Sequence, residues 1–207
     1  MIPELAQLAL SLALTLALLT GVFGLWQVTR PDSPLVSVAR SMAGSSVLVF
    51  SLILASFGAL VTSFVLSDFS VQNVAENSNV LLPLPYKIAA SWGSHEGSLL
   101  LWTLMLSGWT AAVALFSNRL APGFRVRVLG VLLILQFAFV GFMLASSNPF
   151  ERLLPAPLSG RDLNPLLQDP VMVSHPPLLY MGYVGFAVSF AFAVAALLEG
   201  RLDPTWA

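Results

Sequence analysis

Two histidines and no cysteine occur among the 207 residues, so metal ligation or proton transfer near neutral pH falls to His95 and His175. His175 lies in QDPVMVSHPPLLYMGYVG, residues 168–185, directly ahead of two prolines and a long apolar run. Pro176 disfavours helical geometry at His175, and Pro176 and Pro177 suit the first turn of a helix, where a missing N–H costs nothing. The expectation is an imidazole on a stiff stalk just above a helix N-terminus. The positive helix end there favours the neutral ring, the form that binds a metal. No second ligand stands at zinc-motif spacing, so a displayed ligand and a solvated loop histidine both remain open.

His95 lies in LPLPYKIAASWGSHEGSLLLW, residues 82–102. Pro83 and Pro85 predict that no regular helix forms before it. Tyr86, Lys87 and Trp92 suit a lipid headgroup layer, with amphipathic rings and a snorkelling ammonium. Ser94 reads as a helix N-cap, with Glu96 in the first turn complementing the dipole. Gly93 and Gly97, four apart, permit close backbone approach. The segment is either an interfacial anchor at a capped helix entry or a binding patch built from Trp92, Gly93, His95, Glu96 and Gly97.

The elements that carry these residues follow from composition. Apolar residues make up 57% of the chain, charged residues 9%, and mean hydropathy is +0.86. Soluble domains carry about a quarter charged residues, so this chain belongs in a bilayer. A net charge of −1 provides no basic field for nucleic acid. Five runs lack Asp, Glu, Lys and Arg: about 5–28, 44–66, 98–116, 128–145 and 178–198. Each can span the hydrocarbon, which predicts an all-α polytopic membrane protein, a single helical domain over 1–207. The first run has no basic flank, only Glu4, and reads as a retained helix rather than a signal peptide.

An N-terminus outside places Arg30, Arg40, Arg119, Arg125, Arg127 and Arg201, six of nine basic residues, in inner segments. The expected topology is therefore N-terminus out and C-terminus in. The long loops of about 67–97 and 146–177 then face outward with both histidines. On the fifth run, Gly182, Gly185, Ser189, Ala193 and Ala196 predict a small-residue packing face. Trp102 and Trp109 read as bundle aromatics or as walls for a flat apolar ligand. A transporter or proton-translocating subunit remains an alternative, although such proteins generally place ionisable groups within their spans and these runs hold none. A cofactor-free assembly scaffold is another.

WGSHEGSLLLW at 92–102 and HPPLLYMGYVGFAVSFAFAVAALLEGRLD at 175–203 closely resemble the CcmF family, the haem lyase subunits of bacterial cytochrome c maturation. The opening MIPELAQLAL is similar too, and the likeness extends over essentially the whole chain. Family members are much longer, so the chain looks like their N-terminal third. The resemblance implies that His175 is an axial ligand of haem delivered by a haem chaperone, with Pro176, Pro177 and Tyr180 shaping its site. It assigns no axial role to His95, which is expected to shape the outer surface with Glu96 as hydrogen-bond partner. It also implies haem b as cofactor and a multi-pass place in the bacterial inner membrane, or its mitochondrial equivalent. Apocytochrome c, other maturation subunits and membrane lipid are the implied partners. The implied reaction joins haem vinyl groups to Cys-x-x-Cys-His thiols of the apocytochrome, which suits a cysteine-free positioning protein. The family's tryptophan-rich segment, second haem histidine and intramembrane histidines are not among these residues. The chain alone is therefore expected to be inactive and to bind haem weakly or not at all.

Overall fold

A computed structural model of the chain describes residues 1–200. Arg201, used above to orient the chain, and Trp206 lie outside the described residues. Among the described residues five helices are long and apolar enough to cross a membrane: α1 (Ile2–Gln27), α2 (Leu35–Val65), α5 (His95–Phe116), α6 (Pro122–Ser146) and α7 (Pro170–Glu199). Two short helices, α3 (Gln72–Asn77) and α4 (Leu84–Ala90), and a 3-10 turn at Pro165–Gln168 complete the order. α2 and α6 pack against α1 and against α5, while α7 lies on α5 and α6. The core is accordingly aliphatic, with Leu10, Ile53, Leu60, Leu100, Leu129 and Leu133 fully buried. Small side chains set the closest approach: Ala6, Ala13 and Ala17 of α1 are buried, and the Ser56 hydroxyl of α2 bonds the Ala6 carbonyl at 2.9 Å.

The helices exceed the expected runs at their charged ends. α2 starts nine residues before Gly44 and takes in Arg40; α6 starts at Pro122 and takes in Arg125 and Arg127. At 1.5 Å per residue the 31 residues of α2 span about 46 Å, well beyond a hydrocarbon layer of about 30 Å. A charge at a helix end sits in the headgroup layer and need not end the helix. Arg125 Nε bonds Ser117 Oγ at 3.0 Å, and Arg127 approaches Glu199 at 3.6 Å, tying the ends of α5, α6 and α7 together.

At the opposite end the two segments expected as loops are ordered against each other. Gln72 N donates to Glu151 O at 2.8 Å, Leu153 N to Ser70 O at 2.8 Å, and Arg161 N to Ala75 O at 2.7 Å. Arg152 pairs with Glu4 at 3.2 Å and Asp68 at 3.4 Å, joining this layer to the start of α1. The expectation that Pro83 and Pro85 exclude a helix is corrected. Pro83 is the N-cap of α4 and Pro85 lies in its first turn, where no intrahelical N–H bond is forfeited.

The predicted packing face of α7 is also corrected. The stripe turned toward α5 and α6 runs through Val173, Pro177, Tyr180, Val184, Ala187, Ala191 and Ala195, with Val184, Ala191 and Ala195 fully covered. Gly182 and Ser189 are exposed; of the predicted face only Ala196 is buried, and a Cβ at Gly185 would meet Trp109 at 3.6 Å. Side-chain volume explains the shift. Trp102 of α5 stacks with Phe139 and tilts against Tyr180, with ring centroids 5.9 and 5.4 Å apart, and this aromatic wedge fixes the rotation of α7.

Candidate functional site

His175 is inside α7, not above it. Asp169 caps the helix, its Oδ1 accepting from Val171 N at 2.9 Å and Met172 N at 3.1 Å, with Pro170 at the first position. His175 is then the sixth helical residue, and Pro176 and Pro177 are interior prolines. The stalk and its helix-end dipole argument are thus corrected. The exposure of His175 is as expected. His175 is exposed and, two residues past Val173, lies about 200° around the helix from the bundle-facing stripe. It shares that outward face with Leu179, Gly182 and Phe186, which are exposed as well.

Interior prolines free carbonyls. Pro176 and Pro177 cannot donate to Met172 O and Val173 O, the partners an unbroken helix would supply. A carbonyl left unpaired in a dry place costs about 1–3 kcal/mol. Val173 O is not left so, because Trp92 Nε1 donates to it at 3.1 Å. The two motifs are therefore one unit in space.

The other residues of the Trp92–Ser98 turn make contacts of their own. Ser94 caps α5 as expected, its hydroxyl accepting from Gly97 N at 2.9 Å. Gly97 is buried with the Ser91 carbonyl where a side chain would start, so the close backbone approach comes from its own turn. At Gly93 a Cβ would come within 2.9 Å of Leu167 and 3.2 Å of Leu163, side chains of the segment leading into α7. Ser98 Oγ donates to Trp92 O at 2.7 Å, and the Tyr86 hydroxyl donates to Gln168 O at 2.8 Å. His95 differs from expectation. Its Nδ1 meets Ser147 Oγ at 2.9 Å, linking the start of α5 to the end of α6, and Ser147 rather than Glu96 is its partner. Glu96 instead lines a cavity of about 370 Å³ with Gln72, Asn73, Glu76, Ser147 and Glu151.

Ser147 and the Leu163–Leu167 turn were missed in the sequence, and Tyr86 was read only as a headgroup-layer residue, because their partners lie far along the chain. The cap of α7 did leave a signal: Asp169-Pro170 is an N-cap followed by proline at the first helical position. Tyr180, expected beside the site, is partly buried on the bundle-facing stripe against Trp102. Among the described residues no cluster of three His, Cys, Asp or Glu side chains could hold a bare metal ion. A single exposed imidazole over an apolar strip does fit a porphyrin, which brings four of its own nitrogen ligands and needs one or two axial partners.

Comparison with known proteins agrees with this architecture. The solved structure of cytochrome c heme lyase CcmF superposes on the whole chain with a TM-score of 0.84 at 32% identity, covering 32% of that protein. The cytochrome c-type biogenesis proteins CcmF of Escherichia coli and Pseudomonas aeruginosa are each 53% identical over the full chain. NrfE of Haemophilus influenzae is 42% identical over 97% of it. The chain spans about a third of the length of these relatives. Residues 92–206, from the indole that grips α7 onward, match the family described as Cytochrome C assembly protein, and the chain belongs to that family.

Proposed function

We propose that this chain serves cytochrome c maturation by offering His175 as an axial ligand to haem at the outer face of an energy-transducing membrane. The observation that carries the reading is the exposed His175 on the face of α7 turned away from the bundle, two residues past the Val173 carbonyl that the Trp92 indole bonds. Haem bound there would supply vinyl groups for thioether bonds to the cysteines of apocytochrome c. The chain's own part is to fix the imidazole, to give the porphyrin an apolar strip of Leu179, Gly182 and Phe186, and to keep other donors away from it. His175 points out of the bundle, so the opposite axial ligand is proposed to come from beyond the described residues. Haem b, a haem chaperone, apocytochrome c and further maturation subunits are the proposed cofactor and partners.

The proposed orientation places the loop-rich end outside, in the periplasm of a bacterial inner membrane. Arg30, Arg40, Arg119, Arg125 and Arg127 gather at the opposite end, against Lys87, Arg152 and Arg161 at this one. His95 is proposed to hold this outer layer together through Ser147 without touching iron.

The test is maturation in cells carrying the full-length family protein with this sequence. His175→Ala is expected to abolish haem staining of c-type cytochromes while the protein stays in the membrane at its normal level. Undiminished staining with that variant would overturn the proposal.

A further inference from the structure

Two consecutive prolines inside α7 leave the helix without two of its own donors about two turns beyond the Asp169 cap. One of the freed carbonyls, Val173 O, is taken by the Trp92 indole, 81 residues away in the chain. Trp92 is itself tightly held. Its N–H donates to Ala89 O at 3.2 Å, its carbonyl accepts from Ser98 Oγ, and the turn closes where Gly97 meets Ser91. The gripped peptide lies two residues from His175, between the cap and the prolines. The same indole therefore controls the stretch of α7 most prone to bend.

We infer that Trp92 is a positioning residue for His175: its indole N–H replaces the backbone donor that Pro177 lacks and thereby fixes the direction in which the imidazole leaves α7. The inference rests on the reading of His175 as a haem ligand. Indole suits the task because it donates and cannot accept, so it pairs with a carbonyl in one way only. Without it, Val173 O turns toward another donor, the helix kinks at the Pro-Pro step, and the ligand swings with it. An axial ligand tolerates little of this, since productive site geometry holds to within about 0.5 Å.

Two substitutions in the full-length family protein test the arrangement. Trp92→Phe keeps an aromatic ring and removes the N–H. Pro177→Ala gives residue 177 a backbone N–H that can bond Val173 O itself. Trp92→Phe is expected to speed hydrogen–deuterium exchange across residues 171–179 without haem. It should also weaken haem binding about three- to ten-fold, with a disturbed axial-ligand spectrum. Adding Pro177→Ala to that variant should reverse both effects, which a loss of packing alone would not allow. Unchanged exchange in Trp92→Phe, or an effect that Pro177→Ala does not reverse, overturns the inference. If the exchange pattern follows expectation but His175→Ala leaves the haem spectrum unaltered, the ligand reading fails and the brace between the motifs remains.

Discussion

Gly97→Ala is the substitution that asks most of the turn at residues 91–98. A methyl at Gly97 would be placed on the Ser91 carbonyl, with Ser91 C at 2.9 Å and Ser94 Oγ at 3.1 Å. Two of these contacts are backbone and cannot rotate away. Overpacking of this kind costs about 1–3 kcal/mol. Any shift that relieves it pulls Gly97 N from the Ser94 hydroxyl, and losing a serine cap costs about 1 kcal/mol more. Against this, alanine exceeds glycine in helix propensity by about 1 kcal/mol. The expected net loss is about 1–3 kcal/mol, or a fall in Tm of roughly 2–12 °C for a chain of this length. The assay is thermal unfolding of the protein in detergent, followed by circular dichroism. Gly44→Ala and Gly58→Ala provide the contrast, because a Cβ at either site meets nothing within 4 Å and the propensity gain stands alone. Those two are expected to leave Tm unchanged or raise it. If Gly97→Ala is as stable as they are, the packing argument for the turn is wrong.

Two further outcomes follow from named contacts and a third from the placement of basic residues. Gln136 is fully buried in α6, where Nε2 reaches Thr103 O at 3.2 Å and Oε1 has no partner among the described residues. Gln136→Leu should therefore hold or raise Tm in detergent, since removing a half-satisfied polar group is close to neutral; a loss above about 2 kcal/mol would contradict this. His95→Ala and Ser147→Ala should each cost about 1 kcal/mol, the pair together no more than either alone, with haem absorbance intact. Additive losses, or a lost axial-ligand signal in His95→Ala, would show another role for that imidazole. Topology reporters joined after Ala121 and after Leu158 should report inside and outside respectively, and the reverse would invert the proposed orientation.

The five spans were legible because a bilayer leaves the backbone no alternative to long apolar helices. Their ends were less so. Arg40 and Arg125 stop a count of uncharged residues, yet a helix simply carries them into the headgroup layer. Ser94 was legible as a cap because its partner, Gly97 N, is three residues away. The start of α7 was misplaced because Pro170 and Pro176 are both plausible first-turn prolines, and only Asp169 beside the former decides between them. Trp92 shows the limit most clearly. Its place in a headgroup layer could be guessed, but its bond to Val173 O depends on how α5 and α7 are brought together. The face of α7 was misjudged for a related reason. Small residues predict where helices can approach, whereas Trp102, Phe139 and Tyr180 settled where they do.

His175 as an axial ligand of haem, its opposite partner beyond the described residues, is the proposal on which the other roles depend. It is tested most directly by haem titration of the 207-residue chain and of the full-length family protein, each with and without His175→Ala, followed by absorption spectroscopy. Weak or no binding is expected of the short chain. Six-coordinate binding is expected of the full-length protein, with its axial-ligand signal lost when His175 is replaced. Tight six-coordinate binding by the short chain, or a full-length protein whose spectrum ignores the substitution, would contradict it.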